Sequence, residues 1–167
     1  MYPDCDEILK MAPDYDIIPV CREIYADVIT PITLLRKLAT VSKRYYLLES
    51  VEGGEKWGRY SFFGFDPVMR VKCSCGKVTI EKDGEETEKV TDKPLEVLRE
   101  ILKDYKAPRL AGLPPFAGGF VGYFAYAMIG YAEPKLKIKK GTFNDYDMML
   151  FDKVIAYDHL KQKISII

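Results

Sequence analysis

Apolar positions recur along this chain with two periods, and the changes of period mark out its elements. Ile8, Leu9 and Met11 follow a cluster of acidic residues, and Asp4 ahead of them suits a helix cap. Residues 4–11 therefore read as a short helix that Pro13 ends. The stretch IIPVCREIYAD, 17–27, reads as extended, with Pro19 confining it to an irregular or edge position. Thr30-Pro31 opens a second helix with Leu34, Leu35 and Leu38 on one face. Arg36 and Lys37 read as its last turn, where cations suit the helix dipole. Alternation then takes over. Residues 45–50 and 58–64 read as strands on either side of Gly53-Gly54, and 68–73 and 77–82 follow. Asp83-Gly84 is a strong hairpin signal. Pro94 starts an amphipathic helix with Leu95, Leu98, Ile101, Leu102 and Tyr105 directed inward. Residues 120–126 are apolar on both faces and read as a buried strand. The last pair, 147–157 and 162–167, flanks Asp158-His159-Leu160-Lys161 as a hairpin. Strands dominate without regular βαβ alternation, so the expected class is α+β, with predominantly antiparallel sheets flanked by a few helices.

Composition narrows what such a fold could do. At 167 residues and 48% hydrophobic, the chain can bury the core of one domain. Its 25 basic and 25 acidic side chains cancel, which argues against a general nucleic-acid binder. No apolar run is long enough to span a bilayer, and the acidic start MYPDCDEILK lacks the apolar segment of a secretory signal. A soluble, cytoplasmic chain with no membrane partner is expected. Cys73 and Cys75 would share one face of a strand as small structural residues, and a single C-x-C pair lacks the second half of a zinc site.

Candidate chemistry is sparse. His159 falls in a predicted turn, where solvation alone accounts for it. Gly118, Gly119 and Gly122 precede or enter a strand rather than a helix, so close packing explains them better than phosphate binding. One stretch stands out: Glu49-Ser50 at the end of a strand, followed by Ser61 within GRYSFFG. A carboxylate, hydroxyls and nearby rings could hold an amino acid by its ammonium, its carboxylate and its side chain. In a regular strand Glu49 and Ser50 point to opposite faces, so a bend would be needed for both to meet one ligand.

The segments LLES (47–50), GRYSFFGFDP (58–67), PLEVLREIL (94–102), LPPFAGGFVGYFAY (113–126) and a strand ending AYDH (156–159) occur in that order. Together they resemble the N-terminal region of anthranilate synthase component I, over about residues 20–167. The close relative aminodeoxychorismate synthase component I shares similar motifs. The resemblance implies the N-terminal part of the chorismate-utilising fold. The whole enzyme would convert chorismate and ammonia to anthranilate and pyruvate in tryptophan biosynthesis. It would use magnesium and take its ammonia from a glutamine amidotransferase subunit, component II. The chorismate and magnesium ligands would lie in the C-terminal part of its own chain. Residues 1–167 are then expected to be a regulatory region with no cofactor, inactive alone. The same resemblance implies half of an L-tryptophan feedback site, with Ser50 and Glu49 in it and Tyr60 and Ser61 opposite on the next strand. The family pattern is not met where Ala127 follows Tyr126 and where Gly130 stands near an expected arginine. A chain separated from its other part is expected to self-associate through Ile164, Ile166, Ile167 and residues 120–126. A stand-alone binding module is the alternative from another class.

Overall fold

The computed structural model describes residues 1–49, 58–136, 138 and 141–167. In chain order the strands are β1 (Arg22–Tyr25), β2 (Tyr45–Glu49), β3 (Tyr60–Phe65), β4 (Met69–Ser74), β5 (Lys77–Lys82), β6 (Glu85–Val90), β7 (Gly119–Phe124), β8 (Tyr146–Phe151), β9 (Val154–Asp158) and β10 (Lys163–Ile166). The helices are α1 (Cys5–Met11), α2 (Pro31–Val41), α3 (Pro94–Lys103) and the single turn α4 (Ile129–Ala132). Two antiparallel sheets with few helices make the fold α+β, as the alternation indicates. The chain divides into two compact units, one from Met1–Pro67, Tyr105–Gly119 and Phe151–Ile167, the other from Val68–Asp104 and Phe120–Leu150.

The first unit holds a sheet in the order β1-β10-β9-β3-β2. Its helices start where their caps dictate. Asp4 and Glu7 exchange backbone-to-side-chain hydrogen bonds in a capping box, and Thr30 Oγ1 accepts from the Thr33 amide at 3.2 Å. Leu34 and Leu38 of α2 pack on Phe63, Ile155, Tyr157 and Ile164 of the sheet, and this cluster is the core of the unit. Burying each such side chain contributes about 1.5–3 kcal/mol. α2 runs on to Val41, so Arg36 and Lys37 lie mid-helix rather than in the last turn, which carries no basic residue. Ile164 is 2% exposed, because β10 is covered by the α2 cluster; the expectation that it offers free apolar surface is corrected.

The second unit holds a sheet in the order β6-β5-β4-β8-β7. Asp83 and Gly84 both take positive φ, +53° and +83°, as a two-residue hairpin turn requires. Cys75 and Gly76 do the same at +53° and +78°, so Cys75 is an exposed turn residue while Cys73 is fully buried in β4. The two cysteines therefore do not share a strand face. On α3 the buried side is Pro94, Val97 and Leu98, and both Leu95 and Leu102 are exposed. Spacing alone put the apolar stripe about one residue out of phase. The hydroxyl of Tyr146, itself fully buried, donates to the Pro94 carbonyl at 3.0 Å and ties the start of α3 to β8.

Two strand expectations change. β7 is not buried: it is the last strand of its sheet, with Tyr123 and Phe124 exposed, and Tyr126 lies beyond it in a 3₁₀ turn. Its apolar sequence reflects one neighbour, not two. The single strand expected over 147–157 is two, because the chain leaves one sheet after Phe151 and enters the other at Val154. The Gly53-Gly54 break lies outside the described residues.

Candidate functional site

Antiparallel register in the first unit sets Glu49 opposite Ser61, and Ser61 opposite Tyr157. Alternation then places these three on the sheet face covered by α2, one pair beyond Leu47, Phe63 and Ile155. The turn after β9 returns His159 to the same place, its amide bonded to the Arg59 carbonyl at 2.9 Å. Ser61 Oγ lies 2.7 Å from Nε2 of His159 and 3.3 Å from Oε1 of Glu49. Ser61 is completely buried, His159 half-buried and Glu49 exposed. The imidazole leans on the Tyr157 ring with centroids 4.8 Å apart, which limits how it can turn.

The other face of the same strands carries Tyr60 opposite Asp158. Asp158 organises the turn. Its Oδ1 accepts from the Leu160 and Lys161 amides, each at 3.0 Å, and from Arg59 Nε at 3.1 Å; its Oδ2 accepts from Arg59 Nη2 at 2.7 Å. Burial alone would raise the Asp158 carboxyl, but the Arg59 guanidinium and the two amides outweigh it and hold the group below the ordinary carboxylate range. Arg59 also lies over the Tyr60 ring, 4.8 Å from its centroid. Tyr60 stacks on Phe62, which meets Phe116 edge-on. Burial, then the nearby Asp158 charge, pushes the Tyr60 hydroxyl up.

Of the four residues implied by the family pattern, the structure brings Glu49 and Ser61 together. Tyr60 is next to Ser61 in sequence but on the opposite face, and Ser50 lies outside the described residues. Sequence reasoning missed His159. The signal that could have found it is its place two residues after Tyr157, which continues the Ser61-facing side of β9 into the turn. The arrangement offers an exposed carboxylate whose near oxygen is held by a buried hydroxyl, at the open end of an apolar cluster. Such a carboxylate can receive an ammonium group through short charge-assisted hydrogen bonds.

Among the described residues, no group of three or more His, Cys, Asp or Glu side chains is placed to hold a metal ion. No helix among them is long and apolar enough to cross a membrane.

No family model matches the chain. An anthranilate synthase component 1 of Acetivibrio thermocellus is 44% identical over 169 residues, covering 99% of this chain and 34% of that protein. One of Pseudomonas aeruginosa is 39% identical over 168 residues, covering 97% and 34%. The crystal structure of anthranilate synthase component I from Streptococcus pneumoniae matches with a TM-score of 0.53 at 28% identity, covering 87% of this chain and 31% of that one. The chain thus spans about a third of the length of the curated relatives it matches. Nearly the whole of this chain is related, in sequence and in fold, to anthranilate synthase component 1.

Proposed function

We propose that residues 1–167 are the N-terminal regulatory part of an anthranilate synthase component 1. The observation that carries this reading is the 44% identity along 99% of the chain to a protein about three times its length. In this reading the complete enzyme makes anthranilate and pyruvate from chorismate and ammonia. A glutamine amidotransferase subunit supplies the ammonia, and magnesium binds in the remaining part of the chain. The protein works in the cytoplasm. The part described here performs no chemistry and contributes one side of an L-tryptophan feedback site.

The cluster at the end of β2 supports the effector role. Glu49 presents a carboxylate to the ligand ammonium, Ser61 steadies that carboxylate from a buried position, and Ser50 follows directly in the chain. A sheet end encloses an indole on some sides only, so the remaining enclosure comes from the rest of the protein. The exposed aromatics Tyr123, Phe124 and Tyr126 support self-association of the isolated chain.

Three measurements test the reading. Purified 1–167, given chorismate, ammonia and magnesium, forms no anthranilate by fluorescence; turnover would overturn the regulatory assignment. Titration calorimetry with L-tryptophan detects weak binding or none; micromolar affinity, about 8 kcal/mol, would contradict a half-site. In the complete enzyme, Ser50→Phe relieves tryptophan inhibition while turnover persists, and inhibition that survives the change would refute the site.

A further inference from the structure

Among the described residues the Ser61 hydroxyl has one proton and two partners. Its oxygen is 2.7 Å from His159 Nε2 and 3.3 Å from Glu49 Oε1, and a carboxylate can only accept. If Ser61 donates to His159, Glu49 receives nothing from it. If Ser61 donates to Glu49, its oxygen must itself accept, and among the described residues the atom in reach is Nε2, which must then carry hydrogen. The two arrangements differ in the tautomer of one ring. Ser61 is completely buried between these groups, so a hydrogen bond left unmade there is costly, and the arrangement that satisfies all three members is favoured.

We infer that His159 is a positioning residue: it donates Nε2–H to Ser61, commits the serine proton to Glu49, and so holds that carboxylate oriented for the ammonium of an amino-acid effector. The Tyr157 ring beside the imidazole and the Asp158-anchored turn set the angle of the donor. The inference rests on the effector reading given above for the choice of ligand, and on the Ser61 geometry alone for the hydrogen-bond chain. It makes the site select for a positively charged amino group, not merely for an indole.

His159 is the only histidine in the sequence, so its ring nitrogens can be read without ambiguity. In long-range ¹⁵N–¹H spectra of the 167-residue chain, recorded at a pH where the spectrum itself shows a single protonated ring nitrogen, the ring is the Nε2–H tautomer. Glu49 is exposed at the end of β2, so Glu49→Ala leaves the fold intact, frees the Ser61 proton for Nε2, and raises the Nδ1–H population; Glu49→Gln, which keeps an acceptor, does not. An Nδ1–H ring in the unaltered chain, or a tautomer indifferent to Glu49→Ala, would overturn the chain of bonds.

The ligand half is tested in the complete enzyme by comparing inhibition by L-tryptophan and by indole-3-propionate, which lacks the amino group. His159→Phe lowers the preference for tryptophan roughly tenfold, and His159→Gln, whose amide can donate to Ser61, restores most of it. Tryptophan inhibition with an unchanged preference in all three proteins would show that His159 does not act through Glu49. A parent enzyme indifferent to tryptophan would instead remove the effector reading and the ligand half of this inference, with the tautomer result still deciding the hydrogen-bond chain.

Discussion

Tyr46 offers a substitution that should stabilise the protein, against the usual direction of core changes. It lies on β2, on the sheet face away from α2. Its ring meets Phe151 edge-on with centroids 4.8 Å apart, and it covers Gly64, where a Cβ would come within 2.2 Å of its Cε1. The ring is therefore held on two sides. Its hydroxyl is buried and has no hydrogen-bond partner among the described residues, and burial pushes its pKa well up. An unpartnered buried hydroxyl costs about 1–3 kcal/mol relative to hydration in the unfolded chain. Tyr46→Phe keeps the ring contacts and removes that cost, so it should add about 1–2 kcal/mol. With a urea dependence of about 2 kcal/mol per molar, the middle of the usual range, the midpoint should rise by roughly 0.5–1 M. Far-UV circular dichroism gives the midpoint, and hydrogen exchange of the β2–β3 amides assigns the gain to the first unit. A midpoint that falls, or β2–β3 amides that exchange faster, would mean the hydroxyl is satisfied and the reasoning fails. Gly64→Ala should cost roughly 1–3 kcal/mol by driving Cβ into the ring, and Tyr46→Val should relieve much of that cost in a double-mutant cycle.

Other outcomes follow from the same structure. A Cβ at Gly122 would lie 2.0 Å from the Asp147 carbonyl oxygen, a backbone atom that cannot swing away, so Gly122→Ala should abolish protection of β7 and β8 while α2 and β3 keep theirs in hydrogen exchange. Burial raises the Cys73 thiol to about 11 and raises Cys21 as well, whereas Cys5 and Cys75 are exposed; a thiol reagent at neutral pH should modify two cysteines quickly and the other two only on unfolding. Because the Asp158 carboxyl is lowered in the folded state, its stabilisation is present above the unfolded carboxylate range near pH 4 and is lost as the pH falls through the folded value. Asp158→Asn should therefore flatten the stability curve on the acid side, and an unchanged acid limb would remove Asp158 from that role.

The features that could be read from the chain are those set by neighbours in sequence. Asp4 and Thr30 cap their helices because a cap needs only a side-chain oxygen and an amide two or three residues on. Asp83-Gly84 turns the chain because two consecutive residues can take positive φ there. Cys75-Gly76 makes the same turn, but it was hidden by the reading of Cys73 and Cys75 as a strand pair. What could not be read depends on partners far along the chain. Residues 120–124 have the composition of a buried strand, yet their burial is decided by whether a second strand lies beside β7, and among the described residues β8 is its only neighbour in the sheet. Likewise nothing local at Asp152-Lys153 shows that the strands on either side belong to different sheets.

The site divides along the same line. Glu49, Ser50 and Ser61 stood out because a motif carries them within a short span, and motifs are local. His159 is 98 residues from Ser61, and only the pairing of β3 with β9 brings Nε2 to its hydroxyl. Composition then works against finding it: a lone histidine in a polar turn resembles any solvated residue. A hydrogen-bond count separates the two cases. Solvent can satisfy an exposed imidazole in either tautomer, whereas a completely buried serine with a carboxylate on its far side allows only one tautomer in which every member is bonded. The histidine matters here because Ser61 has a single proton for two partners, and that follows from burial at residue 61 rather than from anything at residue 159.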